Sequence, residues 1–186
     1  MKRFVIITVG KTHSGKTTFA RTLEQKLHNS VVIDQDNHAE FINTYYKNLR
    51  PKRGPNTIKY AVTQTIVNHA VNQTDFHLIL CNSNRARQGR LHLLNYFQDQ
   101  GFTRILVHFN LPDHVLKERV AKSQRSTNVF RNASSFLEVL MKQQADSQQA
   151  EMAGPSENEA DHFFVIQNSD EVENVIQNIV SIVQSI

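Results

Sequence analysis

Short apolar runs alternate along the chain with stretches in which apolar residues recur every three or four positions. The runs at 4–9, 31–34, 76–81, 105–109 and 163–166 are almost unbroken Val, Ile, Leu and Phe, which predicts strands buried on both faces. Between them the spacing changes to that of amphipathic helices. It does so over 16–28 (Phe19, Leu23, Leu27), 58–71 (Ile58, Val62, Ile66, Ala70), 87–100, 113–122, 134–149 and 171–183 (Val172, Val175, Ile176, Ile179, Val183). Ser135 and Glu138 predict a capping box, and Ser169 an N-cap for the last helix. Buried strands alternating with helices predict an α/β fold with a doubly wound, five-stranded parallel sheet. The Pro- and Gly-containing segments 48–56 and 153–161 predict exposed loops inserted in one domain spanning 1–186.

Composition narrows the class. With 39% apolar and 20% charged residues the chain has the make-up of a globular protein, and its net charge of +4 suits anionic partners. One cysteine, Cys81, rules out an internal disulfide and a cysteine-rich zinc site, and fits a reducing cytoplasm. The nine histidines show no metal-ligand spacing. No stretch approaches the roughly 20 apolar residues that cross a bilayer, and the apolar run after Met1-Lys2-Arg3 is too short for a signal peptide, so no membrane contact is expected.

The strongest chemical signal is Gly10-Lys11-Thr12-His13-Ser14-Gly15-Lys16-Thr17, the P-loop spacing. Such a pattern arises by chance in roughly one chain of this length in a hundred. Here a strand also precedes it and an amphipathic helix follows, which makes chance a poor explanation. The glycines let backbone N–H groups converge on phosphate oxygens, and the helix that follows adds its free donors, Thr18 included. Lys16 then reaches the β- and γ-phosphates of ATP or GTP, and the Thr17 hydroxyl ligates Mg²⁺.

The second predicted strand ends in Asp34-Gln35-Asp36-Asn37-His38. In an open α/β sheet the carboxyl ends of the strands face the ligand crevice, so a carboxylate there is placed to take a proton from an attacking hydroxyl. Either aspartate also fits as a simple cap for a helix from about His38. Asp36 is the favoured base.

These residues resemble the small P-loop kinases of the polynucleotide-kinase, zeta-toxin and gluconate-kinase type. The Val-Ile-Asp-Gln-Asp segment is similar to their strand-two motif, whose second Asp, the usual general base, maps onto Asp36. Leu80-Cys81-Asn82-Ser83-Asn84 is similar to the Asp-x-Thr-Asn signature of polynucleotide-kinase relatives. The strand, Pro112, Arg119 and Arg125 resemble their strand-four and lid pattern, and Gly154-Pro155 to Asp161 their entry to the last strand. The resemblance implies a substrate region at about 37–72 and a lid at about 119–149. Arg119 then lies along the adenine or supports the lid, and Arg125 is the transition-state arginine. Two features depart from the pattern: Cys81 replaces the acidic residue at the end of strand three, so that the resemblance leaves Mg²⁺ support to Asp36 through water, and no arginine follows Asp36 closely. The shikimate-kinase double glycine and the adenylate-kinase Asp-Gly-Phe-Pro-Arg loop are absent, which argues against both subfamilies.

Lys47, Arg50, Lys52, Arg53 and Lys59 gather in the expected substrate region. They either close over an anionic acceptor or form an ordinary solvated surface. No aromatic residue alternates with these arginines as in a single-strand stacking platform, and Tyr45 and Tyr46 read equally as helix-packing residues. Arg85, Arg87 and Arg90 follow strand three, and Lys122 and Arg131 flank Arg125 in the lid. The reading is a cytoplasmic, Mg²⁺-ATP-dependent kinase. Its acceptor is a hydroxyl or phosphate of a small molecule, a nucleotide or a nucleic-acid end. The alternative is a P-loop NTPase or nucleotide switch with no separate acceptor.

Overall fold

The computed structural model describes residues 2–185. Strands β1 (Phe4–Gly10), β2 (Ser30–Ile33), β3 (His77–Leu80), β4 (Thr103–Phe109) and β5 (His162–Ile166) form one sheet in the order β2-β3-β1-β4-β5. Every pairing is parallel, and β1 runs in register with Val5 opposite Leu78 on one side and Arg104 on the other. The expected five-stranded parallel α/β fold is therefore present.

Helices cover both faces, as parallel strands require. They are α1 (Lys16–Lys26), α2 (Gln35–Tyr45), α3 (Thr57–Gln73), α4 (Arg87–Asp99), α5 (Asp113–Ala121), α6 (Phe136–Asp146) and α7 (Glu171–Gln184). Alternation along β1 divides the core. Phe4 and Ile6 pack with Phe19 and Leu23 of α1, Leu116 of α5 and Ile176 and Ile179 of α7. Val5, Ile7 and Val9 face Val67 of α3 and Leu94 and Phe97 of α4. Each such fully buried side chain contributes roughly 1.5–3 kcal/mol of transfer free energy.

Three expectations change. The helix expected from about His38 starts at Gln35, because Asp34 caps it: its Oδ1 accepts from the Asp36 amide at 2.9 Å. Only half of the capping box forms. Ser135 accepts from the Glu138 amide, but the Glu138 carboxylate turns to the amide and hydroxyl of Ser134. Ser169 does not cap α7; Asn168 Oδ1 takes the Asp170 and Glu171 amides instead.

One buried ion pair fixes the ends of the sheet. Arg90 of α4 is 1% exposed and grips Glu159 in a fork, Nε to Oε2 at 2.6 Å and Nη2 to Oε1 at 3.0 Å. Its Nη1 donates to the carbonyls of Asn84 and Arg85. The segment after β3 is thereby pinned to the segment entering β5. Asn84 in turn donates to the Thr8 carbonyl, and Ser83 O accepts from the Gly10 amide, so this pinned segment braces the end of β1.

Candidate active site

The loop from Gly10 to Thr17 joins β1 to α1, as its spacing predicted. Gly10 leaves no room for a side chain: a Cβ would stand 2.8 Å from the Phe109 carbonyl oxygen and 2.9 Å from the Phe109 Cβ. Gly15 has space around it but caps α1 at φ 100°, in the left-handed region that favours glycine. His13 holds φ 58° without being glycine and is fixed from several sides. Its Nδ1 meets Thr12 Oγ1 at 3.0 Å, its Nε2 meets Ser123 Oγ at 2.7 Å, and its ring lies edge-on to Phe136 at 4.7 Å. Burial, reinforced by Arg125, Lys16 and Arg119, pushes the His13 imidazole down to about 4, so it is neutral.

Lys16 Nζ donates to Lys11 O at 2.6 Å and Ser14 Oγ at 3.1 Å, folded back along the loop. Burial pushes its ammonium down to about 8 against the pull of Cys81, Asp36 and Asp34. Ser14 is buried. Lys11 turns outward to Asp113 at 2.6 Å. The Thr12 amide donates to Gln143 Oε1 of α6 at 2.7 Å.

At the other end of the loop Thr17 Oγ1 donates to Asp34 Oδ2 at 3.3 Å and accepts from Cys81 Sγ at 3.4 Å. Burial and Asp34 push the Cys81 thiol up to about 11, which keeps it a proton donor. Asp34 is 4% exposed and its carboxyl is raised, first by burial and then by Asp36 beside it. Asp34 is thus both the helix cap and the carboxylate that accepts from the Thr17 hydroxyl.

A cavity of about 870 Å³ connects these groups, a size suited to a nucleotide. Thr12 to Thr18, Asp36, Lys59, Arg119, Arg125 and Gln143 line it, with Ile166, Asn168, Ser169 and Val172 at one end. Arg119 closes that end, donating from Nη1 to His13 O at 3.2 Å and from Nη2 to Ser169 Oγ at 2.8 Å. Arg125 closes the other, with Nη2 3.1 Å from Asp36 Oδ2 and its guanidinium 5.0 Å from the Phe136 ring centre. Lys59, on α3, makes no hydrogen bond or ion pair among the described residues; burial lowers its ammonium, opposed by Asp36.

A family model described as an AAA domain matches residues 5–150. The chain belongs to this AAA-domain family. The matched span takes in the phosphate loop, Asp34, Asp36, Lys59, Arg119 and Arg125, and leaves β5 and α7 outside. No curated protein matches the chain. Among solved structures, Chaetomium thermophilum Kti12 in complex with ADP-AlF3 superposes with TM-score 0.64 at 15% identity, over 95% of this chain and 97% of that one. Mycobacterium tuberculosis APS kinase CysC in complex with AMPPNP and APS superposes with TM-score 0.60 at 15% identity, over 98% of each chain. The Deinococcus radiodurans tunicamycin resistance protein gives TM-score 0.59 at 16% identity, over 98% and 96%. At these identities the likeness shows the fold, that of P-loop kinases.

Some sequence-picked residues lie away from the cavity. Arg131 ties the segment before α6 to the loop after α2, donating to the carbonyls of Pro51 and Gly54 at 3.3 and 2.7 Å. Arg50 bonds Asn43 Oδ1, while Asn43 Nδ2 donates to the carbonyls of Asn128 and Phe130. Arg90 is a core residue, and Arg85 anchors α6 through the Gln143 carbonyl. Gln143 itself was missed. It approaches Thr12 from 131 positions away, and nothing local in the sequence signals that contact.

Proposed function

We propose that this AAA-domain protein is an ATP-dependent kinase that transfers a phosphoryl group to a hydroxyl or phosphate of a separate acceptor. One observation carries the reading: the Asp36 carboxylate lines the same cavity as Lys16, on the side away from Asn168 and Ser169, with Arg125 against it.

In this reading the base of the nucleotide lies beside Arg119, Asn168 and Ser169, and the loop amides and Lys16 hold the phosphates. Lys16 leaves the Lys11 carbonyl to bridge the β- and γ-phosphates. Gly15, open where a side chain would stand, fits a phosphate chain, while Gly10 lets β1 pack against Phe109. A divalent cation would be held by the Thr17 hydroxyl, with the Asp34 and Asp36 carboxylates supplying the supporting negative charge. Bound there, Mg²⁺ supplies charge neutralisation between the β- and γ-phosphates. Asp36 accepts the proton of the attacking acceptor hydroxyl, and Lys59 faces the acceptor as a cation without a protein anion bound to it. Arg125 exchanges Asp36 for the charge that develops on the transferred group. The acceptor region spans about 37–72 and the lid about 119–149, within one domain of 1–186. A single buried cysteine fits a cytoplasmic setting, and no helix among the described residues is long and apolar enough to cross a membrane.

The test is a screen of acceptor pools, nucleosides, sugars and oligonucleotides among them, with γ-labelled ATP and product mass as readout. Label transferred to an acceptor supports the kinase. Label released only as inorganic phosphate, at a rate no pool changes, makes the protein an NTPase.

A further inference from the structure

The second half of α2, the loop 47–56 and all of α3 share an unusual charge pattern: from Phe41 to Thr74 the chain contains no Asp or Glu. The same stretch holds Lys47, Arg50, Lys52, Arg53 and Lys59. Arg50 is bound by Asn43, and Lys59 faces the cavity. Lys47, Lys52 and Arg53 are exposed, and their side chains make no ion pair or hydrogen bond among the described residues. Three uncompensated cations therefore stand on one solvent-facing segment.

Beside them lies aromatic surface. Tyr45 is 71% exposed, Tyr46 47% and Phe41 46%. Phe41 is the hub, its ring centre 5.4 Å from that of Tyr45 and 5.4 Å from that of Tyr46. The tyrosines do not pack into the core, as helix-packing residues would; the inner side of α2 is made by Ala39, Ile42 and Asn43. Covering such a patch stabilises a complex. Glu40, half-buried, precedes Phe41 on α2, but from Phe41 to Thr74 no carboxylate follows. Three cations stand unpaired there among the described residues, and that excess of positive charge decides what covers the patch. A protein partner in general carries both charges; a polyanion with flat apolar faces matches the aromatic and cationic surface from Phe41 to Arg53.

We propose that the outer face of α2 and the loop 47–56 form a docking surface for single-stranded nucleic acid. Bases stack on Phe41, Tyr45 and Tyr46, and backbone phosphates pair with Lys47, Lys52 and Arg53. Tyr45 and Tyr46 immediately precede Lys47, so stacking and phosphate contact fall on adjacent residues. This goes beyond the kinase reading and does not rest on it, because the surface lies outside the cavity and docking needs no turnover.

The experiment is fluorescence anisotropy of the full chain with labelled 12-nucleotide single strands, DNA and RNA of one sequence in separate arms. Saturating Mg²⁺-ADP keeps the phosphate loop closed to the oligonucleotide. Binding is expected at low salt, with a log–log salt slope of about −0.7 per phosphate contact, or about −2 for three. Replacing Lys47, Lys52 and Arg53 with Ala should flatten that slope by about two units. Tyr45→Ala with Tyr46→Ala should weaken binding by roughly 30-fold or more while leaving the slope unchanged. All five side chains are exposed, and unchanged thermal melting confirms that the variants fold. Tighter binding in one arm identifies the natural strand as DNA or RNA; equal binding means the surface reads what both share. No binding at low salt overturns the proposal, as does binding that the tyrosine variants leave untouched. Self-association abolished by the tyrosine variants, with no oligonucleotide binding, would make the patch a protein interface and also overturn it.

Discussion

Arg125 donates to Asp36 across the mouth of the cavity, Nη2 to Oδ2 at 3.1 Å, with the side chains 41% and 50% exposed. A pair this open to water is worth no more than about 1 kcal/mol. In the proposed kinase, nucleotide phosphate would separate the two at little cost, leaving the Arg125 cation for the transferred group and the Asp36 carboxylate for the acceptor. Asp36→Asn should keep ATP binding, measured by calorimetry, and lose transfer by roughly 10²–10⁴-fold. Arg125→Ala should lower kcat by about 10³-fold, in the range of arginines that stabilise this transition state. Loss of ATP binding in Asp36→Asn would remove it from the role of base.

Asp34 and Thr17 give a separate prediction. Asn also caps helices, so Asp34→Asn should preserve α2 and the fold. It removes the carboxylate behind the Thr17 hydroxyl, so the gain in ADP affinity on adding Mg²⁺ should shrink, while metal-free ADP affinity stays near its original value. Calorimetry with and without Mg²⁺ reads both, and an unaltered Mg²⁺ gain would move metal support to Asp36.

Lys16 sets a pH dependence with a definite sign. With its ammonium lowered to about 8, the free protein loses this charge as pH rises through 8. Bound phosphates favour the charged form, so nucleotide affinity should be highest below pH 8 and fall above it. Calorimetry in two buffers of different ionisation heat should show proton uptake on ADP binding near pH 8.5 and little at pH 6.5. Uptake independent of pH would mean that Lys16 is an ordinary lysine.

Arg90 and Glu159 carry a stability prediction. Their side chains are 0% and 6% exposed, so Arg90→Met strands a buried carboxylate and should cost about 3–5 kcal/mol by urea unfolding. Adding Glu159→Leu removes the stranded charge and should recover much of that loss. A double variant no more stable than the single one would assign the cost to the lost Asn84 and Arg85 carbonyl contacts instead.

The lid can be tested by cleavage. Lys122 and Arg125 are exposed, in a segment held by His13 through Ser123 and by Asp36. AMPPNP should slow tryptic cutting within 122–135 several-fold if this segment closes over nucleotide. Equal rates with and without nucleotide would describe a fixed loop.

Sheet, strand count and phosphate loop were legible in the sequence because each rests on local pattern: apolar runs, helical spacing, and two glycines at a fixed distance from a lysine. The division of labour between Asp34 and Asp36 was not. Both are acidic and two positions apart, and only the start of α2 at Gln35 decides which one turns inward beside Thr17. Tyr45 and Tyr46 were equally opaque, since a tyrosine at helical spacing reads the same whether its face meets the core or water. Gln143 and Arg90 depend on partners far along the chain, which no window of neighbouring residues contains.

The central place of β1 also shapes how the protein is made. Both of its sheet neighbours, His77–Leu80 and Thr103–Phe109, lie far downstream, and β2 too must wait for β3. A growing chain thus carries two uncovered apolar strands until β3 emerges, and β1 keeps a bare edge until residue 109 has followed. Parallel pairings at such separations form slowly. Vectorial synthesis therefore leaves the phosphate loop as one of the last parts to gain its support, and places the demand for chaperone shelter on the first half of the chain.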